Sequence, residues 1–179
     1  APLGAELAQE AAERLGCEVV QGYGMTELSP VSHSTPSGQG KPGTIGVAIP
    51  GCEMKCVDLD GNEVPVGEVG EIAIRGDNVM KGYWNKPEAT AEAIPDGWFR
   101  TGDLATMDSE GYFTIVDRKK DMILRGGFNV YPREVEEVLY GHEAIAEAAV
   151  IGVADDEMGE EVKAVIALKP GAALSADEL

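Results

Sequence analysis

The chain has 179 residues and a formal charge of −18 at pH 7, with 14 Lys plus Arg against 32 Asp plus Glu. That acidic surplus opposes binding to a nucleic-acid backbone and docking on an anionic membrane, since both draw on clustered cations. At 44% hydrophobic and 26% charged residues, the composition is that of a globular protein with one or two buried cores. No apolar run reaches the length that spans a bilayer, so no transmembrane segment is expected. Cys17, Cys52 and Cys56 make no disulfide framework, and their odd number fits a reducing, cytoplasmic setting. With His33 and His142 the only histidines, spacing suggests no His/Cys metal cluster. Nothing in the pattern specifies an oligomeric state.

Leu3, Leu7, Ala11 and Leu15 recur at helical spacing and Gly16 follows as a stop, which predicts an amphipathic helix. Val19-Val20 reads as a short buried strand running into Gly22-Tyr23-Gly24-Met25-Thr26-Glu27. Residues 30–46 are polar and rich in Gly, Ser and Pro, hence a loop. Further on, β-like runs at 52–57, 69–75, 98–101 and 112–116 alternate with turns. Asp60-Gly61 and Glu110-Gly111 are hairpin signals between such runs, and a short helix is expected at 90–93. The charges of Asp117-Arg118-Lys119-Lys120-Asp121 read, from spacing alone, as a solvated turn. A Gly-rich loop follows, then a helix from Pro132 with Val135, Val138 and Leu139 on one face. Strands at 146–153 and 162–168 complete a β-α-β-β order, the pattern of a second, small α+β domain. Ser175-Ala176-Asp177-Glu178 reads as a helix cap and first turn, and both chain ends interrupt such patterns, so a fragment of a longer enzyme is expected.

Four segments could carry chemistry. In Gly22-Tyr23-Gly24-Met25-Thr26-Glu27, glycines admit close backbone approach, Tyr23 offers a ring to a base, and Thr26 offers a hydroxyl to a phosphate. Glu27 is a hard oxygen ligand suited to Mg²⁺. The segment is not a dinucleotide fingerprint, and Gly40-Lys41, with Thr35 where a Walker-type loop needs glycine and Pro42 after it, is not a phosphate-cradling loop of that type. Asp103, in Thr101-Gly102-Asp103, could accept two hydrogen bonds from a ribose diol, or could cap a turn. Arg118 could donate to ribose or phosphate oxygens. Gly126-Gly127 leaves room for a thin ligand and equally suits a plain turn.

Taken together, the segments resemble the adenylate-forming superfamily of acyl-CoA synthetases, luciferases and peptide-synthetase adenylation domains. Tyr23-Gly24-Met25-Thr26-Glu27 is similar to its aromatic-Gly-X-Thr-Glu motif. Gly67-Glu68-Val69-Gly70-Glu71-Ile72 and Lys81-Gly82-Tyr83-Trp84-Asn85 resemble its β-subdomain signature, and Gly97-Trp98-Phe99-Arg100-Thr101-Gly102-Asp103 its ribose motif. Asp117-Arg118-Lys119-Lys120-Asp121-Met122-Ile123 through Gly127-Phe128-Asn129-Val130-Tyr131-Pro132 resembles its hinge and following loop. The wording is most similar to bacterial long-chain fatty acid–CoA ligases.

The resemblance implies a mixed α/β and α+β fold. Residues 1–116 would end the large adenylation domain, with a β-rich subdomain over about 43–116. Residues 117–121 would be the hinge and 122–179 a truncated small domain. The implied reaction joins a fatty acid to ATP as acyl-AMP with loss of pyrophosphate, then passes the acyl group to CoA. Gly22, Tyr23 and Gly24 would line the adenine and acyl pocket, with Ile115 near the adenine, while Asp103 and Arg118 would hold the ribose. Thr26 would meet phosphate, Glu27 would meet Mg²⁺, Lys120 would be the hinge pivot, and Gly126 and Gly127 would face CoA. The superfamily's phosphate loop and adenylation lysine are not found, so the isolated chain is expected to be inactive. A ligase for medium-chain or aromatic acids, and a non-catalytic nucleotide-binding module, are the alternatives.

Overall fold

The computed structural model describes residues 5–175. Its architecture is mixed α/β, with antiparallel pairing in every sheet and few helices. The chain divides into two units, Ala1–Ile115 and Val116–Leu179.

In the first unit the apolar runs form strands of one sheet, with the second and third of them central. Strands β4 (Cys52–Val57), β5 (Gly70–Gly76), β6 (Phe99–Met107) and β7 (Phe113–Arg118) form a sheet in that order. Gly70 through Ile74 are buried without interruption in β5, which is paired on both edges. A Cβ on Gly70 would stand 2.8 Å from the Val57 backbone, so glycine permits the close pairing. A smaller sheet joins β1 (Gly22–Gly24), β2 (Val31–Ser34) and β3 (Val47–Ala48). The core gathers Leu28, Ile45, Cys56, Ile72, Ile74, Phe99, Ala105 and Phe113, with Tyr23, Met25 and Ile115 packed against it. Burial pushes the Cys56 thiol up to about 11, so it behaves as a small apolar side chain.

Helix α1 (Ala5–Leu15) forms as its spacing predicts, yet Leu7 and Leu15 of its apolar stripe are exposed, and Leu3 lies outside the described residues. Val19-Val20 is not a strand: pairing begins at Gly22, where β2 supplies a partner in Ser34. The expected loop at 30–46 holds that partner, with Ser32 and His33 fully buried. Two polar residues in a core strand carry no apolar period to be read. Helix α2 (Pro87–Ala93) starts earlier than expected, with Pro87 in its first turn. β6 outruns its predicted 98–101, and β7 runs on to Arg118 before a 3-10 turn at Lys119–Asp121.

The second unit has its own sheet, in the order β10-β11-β8-β9. β8 (Ile123–Arg125) and β9 (Phe128–Val130) make a hairpin where a loop was expected. Gly126 and Gly127 at φ 57° and 85° supply the two left-handed residues that a two-residue hairpin turn requires. Helix α3 (Pro132–Tyr140) buries Leu139 and leans Val135 on the core, whereas Val138 points to solvent at 78% exposure. β10 (Ile145–Asp155) and β11 (Gly159–Leu168) pair from Ile145↔Leu168 to Asp155↔Gly159. Ile123, Leu139, Ile145, Ala148 and Val150 form the core. The helix start expected at 175–178 falls almost wholly outside the described residues.

Candidate functional site

Asp103 owes its position to an irregular strand. In the β5–β6 register Glu71 opposes Leu104 and Ala73 opposes Arg100, so Thr101, Gly102 and Asp103 share the space facing Ile72. β6 therefore bulges, with Gly102 at φ 75°, and a bulge re-aims the side chains beside it. Side chains replace the interrupted ladder bonds. Glu71 Oε1 accepts the Gly102 N–H at 3.0 Å, Thr101 Oγ1 donates to the Ile72 carbonyl at 3.1 Å, and the Asp103 N–H donates to Thr101 Oγ1 at 3.2 Å. Asp103 is thus an aimed residue within a strand and not a turn cap.

Its carboxylate meets the first motif. Tyr23 Oη donates to Asp103 Oδ2 at 2.5 Å, joining residues 80 positions apart. Tyr23 is central in β1, between Gly22 and Gly24. A Cβ on Gly24 would lie 1.8 Å from the Pro30 carbonyl oxygen, so only glycine lets the chain turn here. Across the strand pair Tyr23 faces His33, whose ring centroid is 5.3 Å away. Ile115 packs against the same core as Tyr23.

Thr26 and Glu27 follow in a 3-10 turn, Thr26–Leu28, pinned from below by buried Leu28. The β-rich segment holds this turn from outside. Asn78 Nδ2 donates to the carbonyls of Leu28 and Val31, and the Met80 N–H donates to the Glu27 carbonyl at 2.8 Å. Tyr83 Oη donates to Glu27 Oε1 at 3.0 Å. Burial first, then the Glu27 carboxylate, raises the Tyr83 phenol above its ordinary value. Among the described residues no group of three or more His, Cys, Asp or Glu could hold a metal. A lone carboxylate fits Mg²⁺ that arrives with most of its ligands already supplied by phosphate and water.

In the second unit Arg118 ends β7 and Lys120 lies exposed in the following 3-10 turn. Asp117 Oδ2 accepts the Arg133 N–H at 3.0 Å, serving the N-terminus of α3, whose own cap residue Tyr131 offers no side-chain bond. Gly126 and Gly127 form the β8–β9 turn. A Cβ on Gly126 would meet Met158 at 2.5 Å, and one on Gly127 would meet nothing within 4 Å. Arg125 makes a two-pronged pair with Glu161 at 2.6 and 2.9 Å.

The structure thus brings Tyr23, Asp103 and Ile115 to one core, and sets Thr26 and Glu27 on the adjoining turn. Arg118, Lys120, Gly126 and Gly127 belong to the other unit. Sequence reasoning missed Glu71, Asn78, Tyr83 and His33 as supports; Glu71 and Tyr83 lie within the 67–72 and 81–85 signature segments, but their partners are 31 and 56 residues distant. A cavity of about 230 Å³ lies between α1 and residues 40–44, and none of the motif residues lines it.

The chain matches the AMP-binding enzyme family over residues 1–84 and the AMP-binding enzyme C-terminal domain over residues 134–179. It belongs to the adenylate-forming enzyme superfamily. It is 49% identical to a long-chain-fatty-acid–CoA ligase of Bacillus subtilis (strain 168), covering 100% of this chain and 32% of that protein. It is 48% identical to a feruloyl-CoA synthase of Amycolatopsis sp, at 100% and 37% coverage. ATP-bound MatB from Rhodopseudomonas palustris superposes with a TM-score of 0.91 at 41% identity, over 99% of this chain and 36% of that one. MenE, the o-succinylbenzoate CoA synthetase from Bacillus subtilis in complex with its acyl-adenylate, gives 0.85 at 38% identity, over 99% and 36%. The chain spans about a third of the length of the relatives it matches. No helix among the described residues is long and apolar enough to cross a membrane.

Proposed function

We propose that this chain carries the base, ribose and hinge segments of an ATP-dependent ligase that joins a long-chain fatty acid to CoA. One observation carries the reading: the tyrosine suited to a base and the aspartate suited to a ribose meet at 2.5 Å although 80 residues separate them. In this reading residues 1–116 close the large adenylation domain, 117–121 are its hinge, and 122–179 belong to the small domain.

Adenine stacks on Tyr23 beside Gly22, Gly24 and Ile115, and the ribose hydroxyls donate to the Asp103 carboxylate. The bulge at Gly102 keeps that carboxylate aimed, so little ordering cost remains for the ligand. The acid's carboxylate oxygen then attacks the α-phosphorus and pyrophosphate leaves. Thr26 donates to a phosphate oxygen. Glu27, steadied by the Tyr83 hydroxyl, holds Mg²⁺, which neutralises phosphate charge when bound. In the second step the CoA thiol adds to the acyl carbonyl, AMP leaves, and the thioester forms. Arg118 serves the ribose, Lys120 the pivot between the steps, and Gly126-Gly127 a turn thin enough for the pantetheine arm to pass.

The feruloyl-CoA synthase relative, at 48% identity against 49%, favours a second reading with an aromatic acid in place of a fatty one. Two measurements test the proposal. AMP titrated calorimetrically into the chain should bind, and Asp103→Ala should weaken it at least about tenfold. Equal affinity would remove the ribose role. A polypeptide holding this chain within the full length of its relatives, assayed for pyrophosphate release, should prefer palmitate to ferulate. The reverse preference keeps the mechanism and moves the substrate class.

A further inference from the structure

Strand pairing sets Tyr23 directly opposite His33, and cross-strand partners share one face of a sheet. The His33 ring meets Tyr23 edge-on, with centroids 5.3 Å apart and planes at 80°. On its other side it meets Phe113 edge-on, at 4.7 Å and 73°. Phe113 is a core residue, 2% exposed. One imidazole therefore joins a buried core ring to the tyrosine whose hydroxyl ends on Asp103.

That imidazole has a cost, and the reading above gives it no role. His33 has no exposed surface, and its buried Nε2 has no hydrogen-bond partner among the described residues. Its Nδ1 lies 3.1 Å from Ser32 Oγ, and that hydroxyl also reaches the Tyr23 carbonyl at 3.5 Å. Desolvation pushes the ring's pKa down to about 3, so it is neutral at pH 7. An aliphatic residue in the same volume would avoid an unsatisfied buried nitrogen. What it lacks is a flat ring with a positive edge, and flat edges set the planes of neighbouring rings.

We propose that His33 is a positioning residue for the nucleotide: held edge-on between Phe113 and Tyr23, its ring sets the Tyr23 plane and keeps Tyr23 Oη on the Asp103 carboxylate. The proposal rests on the nucleotide reading above. Without the wedge, Tyr23 samples other rotamers, and a ligand must order that ring when it binds.

The test compares the chain with His33→Leu and His33→Phe by tyrosine ring-labelled NMR and by AMP titration. Tyr23→Phe identifies the Tyr23 resonances. In the parent, Tyr23 should show slow ring flipping and a protected hydroxyl proton. His33→Leu should speed the flips, lose that proton and weaken AMP about three- to tenfold. His33→Phe, which restores a ring edge, should return both readings to within about twofold of the parent. A His33→Leu protein with unchanged Tyr23 signals and AMP affinity overturns the proposal. Should His33→Leu fail to fold, His33→Phe decides alone: retained Tyr23 signals support the wedge and their loss overturns it. If the parent shows the protected Tyr23 hydroxyl but binds no AMP, the nucleotide reading fails and takes the purpose of the wedge with it. If the parent binds AMP and Tyr23 flips freely, the wedge alone is refuted.

Discussion

The two units hold their polar groups in different ways. In the first, side chains far apart in sequence meet: Tyr23 with Asp103 against a packed core, Asn78 with the Leu28 and Val31 carbonyls, and, nearer the surface, Glu27 with Tyr83. In the second, the long β10–β11 ladder is largely exposed, and pairs such as Arg125 with Glu161 sit on an exposed sheet surface. A core-held arrangement depends on volume and on neutral buried groups, because water cannot fill a gap or screen a misplaced charge. A ladder-held arrangement depends on backbone pairing, and its surface charges answer to salt. Function that needs a carboxylate aimed to a fraction of an ångström suits the first kind of unit.

The comparison breaks most readily in the first core. Phe113→Ala should cost about 3–5 kcal/mol in denaturant unfolding of that unit, because Phe113 is 2% exposed in the core and its ring packs on buried His33. Hydrogen exchange in β10 and β11 should change little; a matching loss there would mean the units unfold as one.

Acid should separate the units next. His33 has a folded pKa near 3 against an ordinary 6.5, so between those values the unfolded chain binds more protons. The penalty is absent above pH 6.5 and grows as pH falls, by at most about 1.4 kcal/mol per unit, levelling below about 3. The difference in stability between the parent and His33→Phe, followed from pH 7 to 4, should carry that slope. A flat difference would show that His33 titrates normally.

Backbone crowding gives a comparable effect with a clear contrast. Gly24→Ala forces a Cβ to 1.8 Å from a carbonyl oxygen, so at least about 1–3 kcal/mol of stability should go, along with the Tyr23–Asp103 contact. Gly127→Ala meets no neighbour and bears only the strain of φ 85°, about 1–2 kcal/mol. Thermal melts of both variants sharpen the distinction, and equal destabilisation would weaken it. The smallest change belongs to Glu161→Gln. The Arg125 guanidinium beside it lowers the Glu161 pKa, yet both side chains are 41% exposed. Any loss of stability should vanish in high salt, and a loss that survived would show the pair to be shielded from solvent.

The linear sequence by itself was enough for the superfamily, the mixed α/β class and the places of most strands. These rest on local pattern: the apolar run of β5, Pro132 opening α3, the turn dipeptides, and motif residues that lie side by side in the chain. Tertiary structure alone decided that residues 31–34 form a strand, that Ser32 and His33 are buried, and that Asp103 is aimed by a bulge. It also decided that Leu7, Leu15 and Val138, apolar and correctly spaced, remain exposed. The physical reason is the same in each case. Periodicity reports a residue's chance of facing a core, but whether a core is there, and which distant partner satisfies a polar atom, is settled by chain segments dozens of residues away.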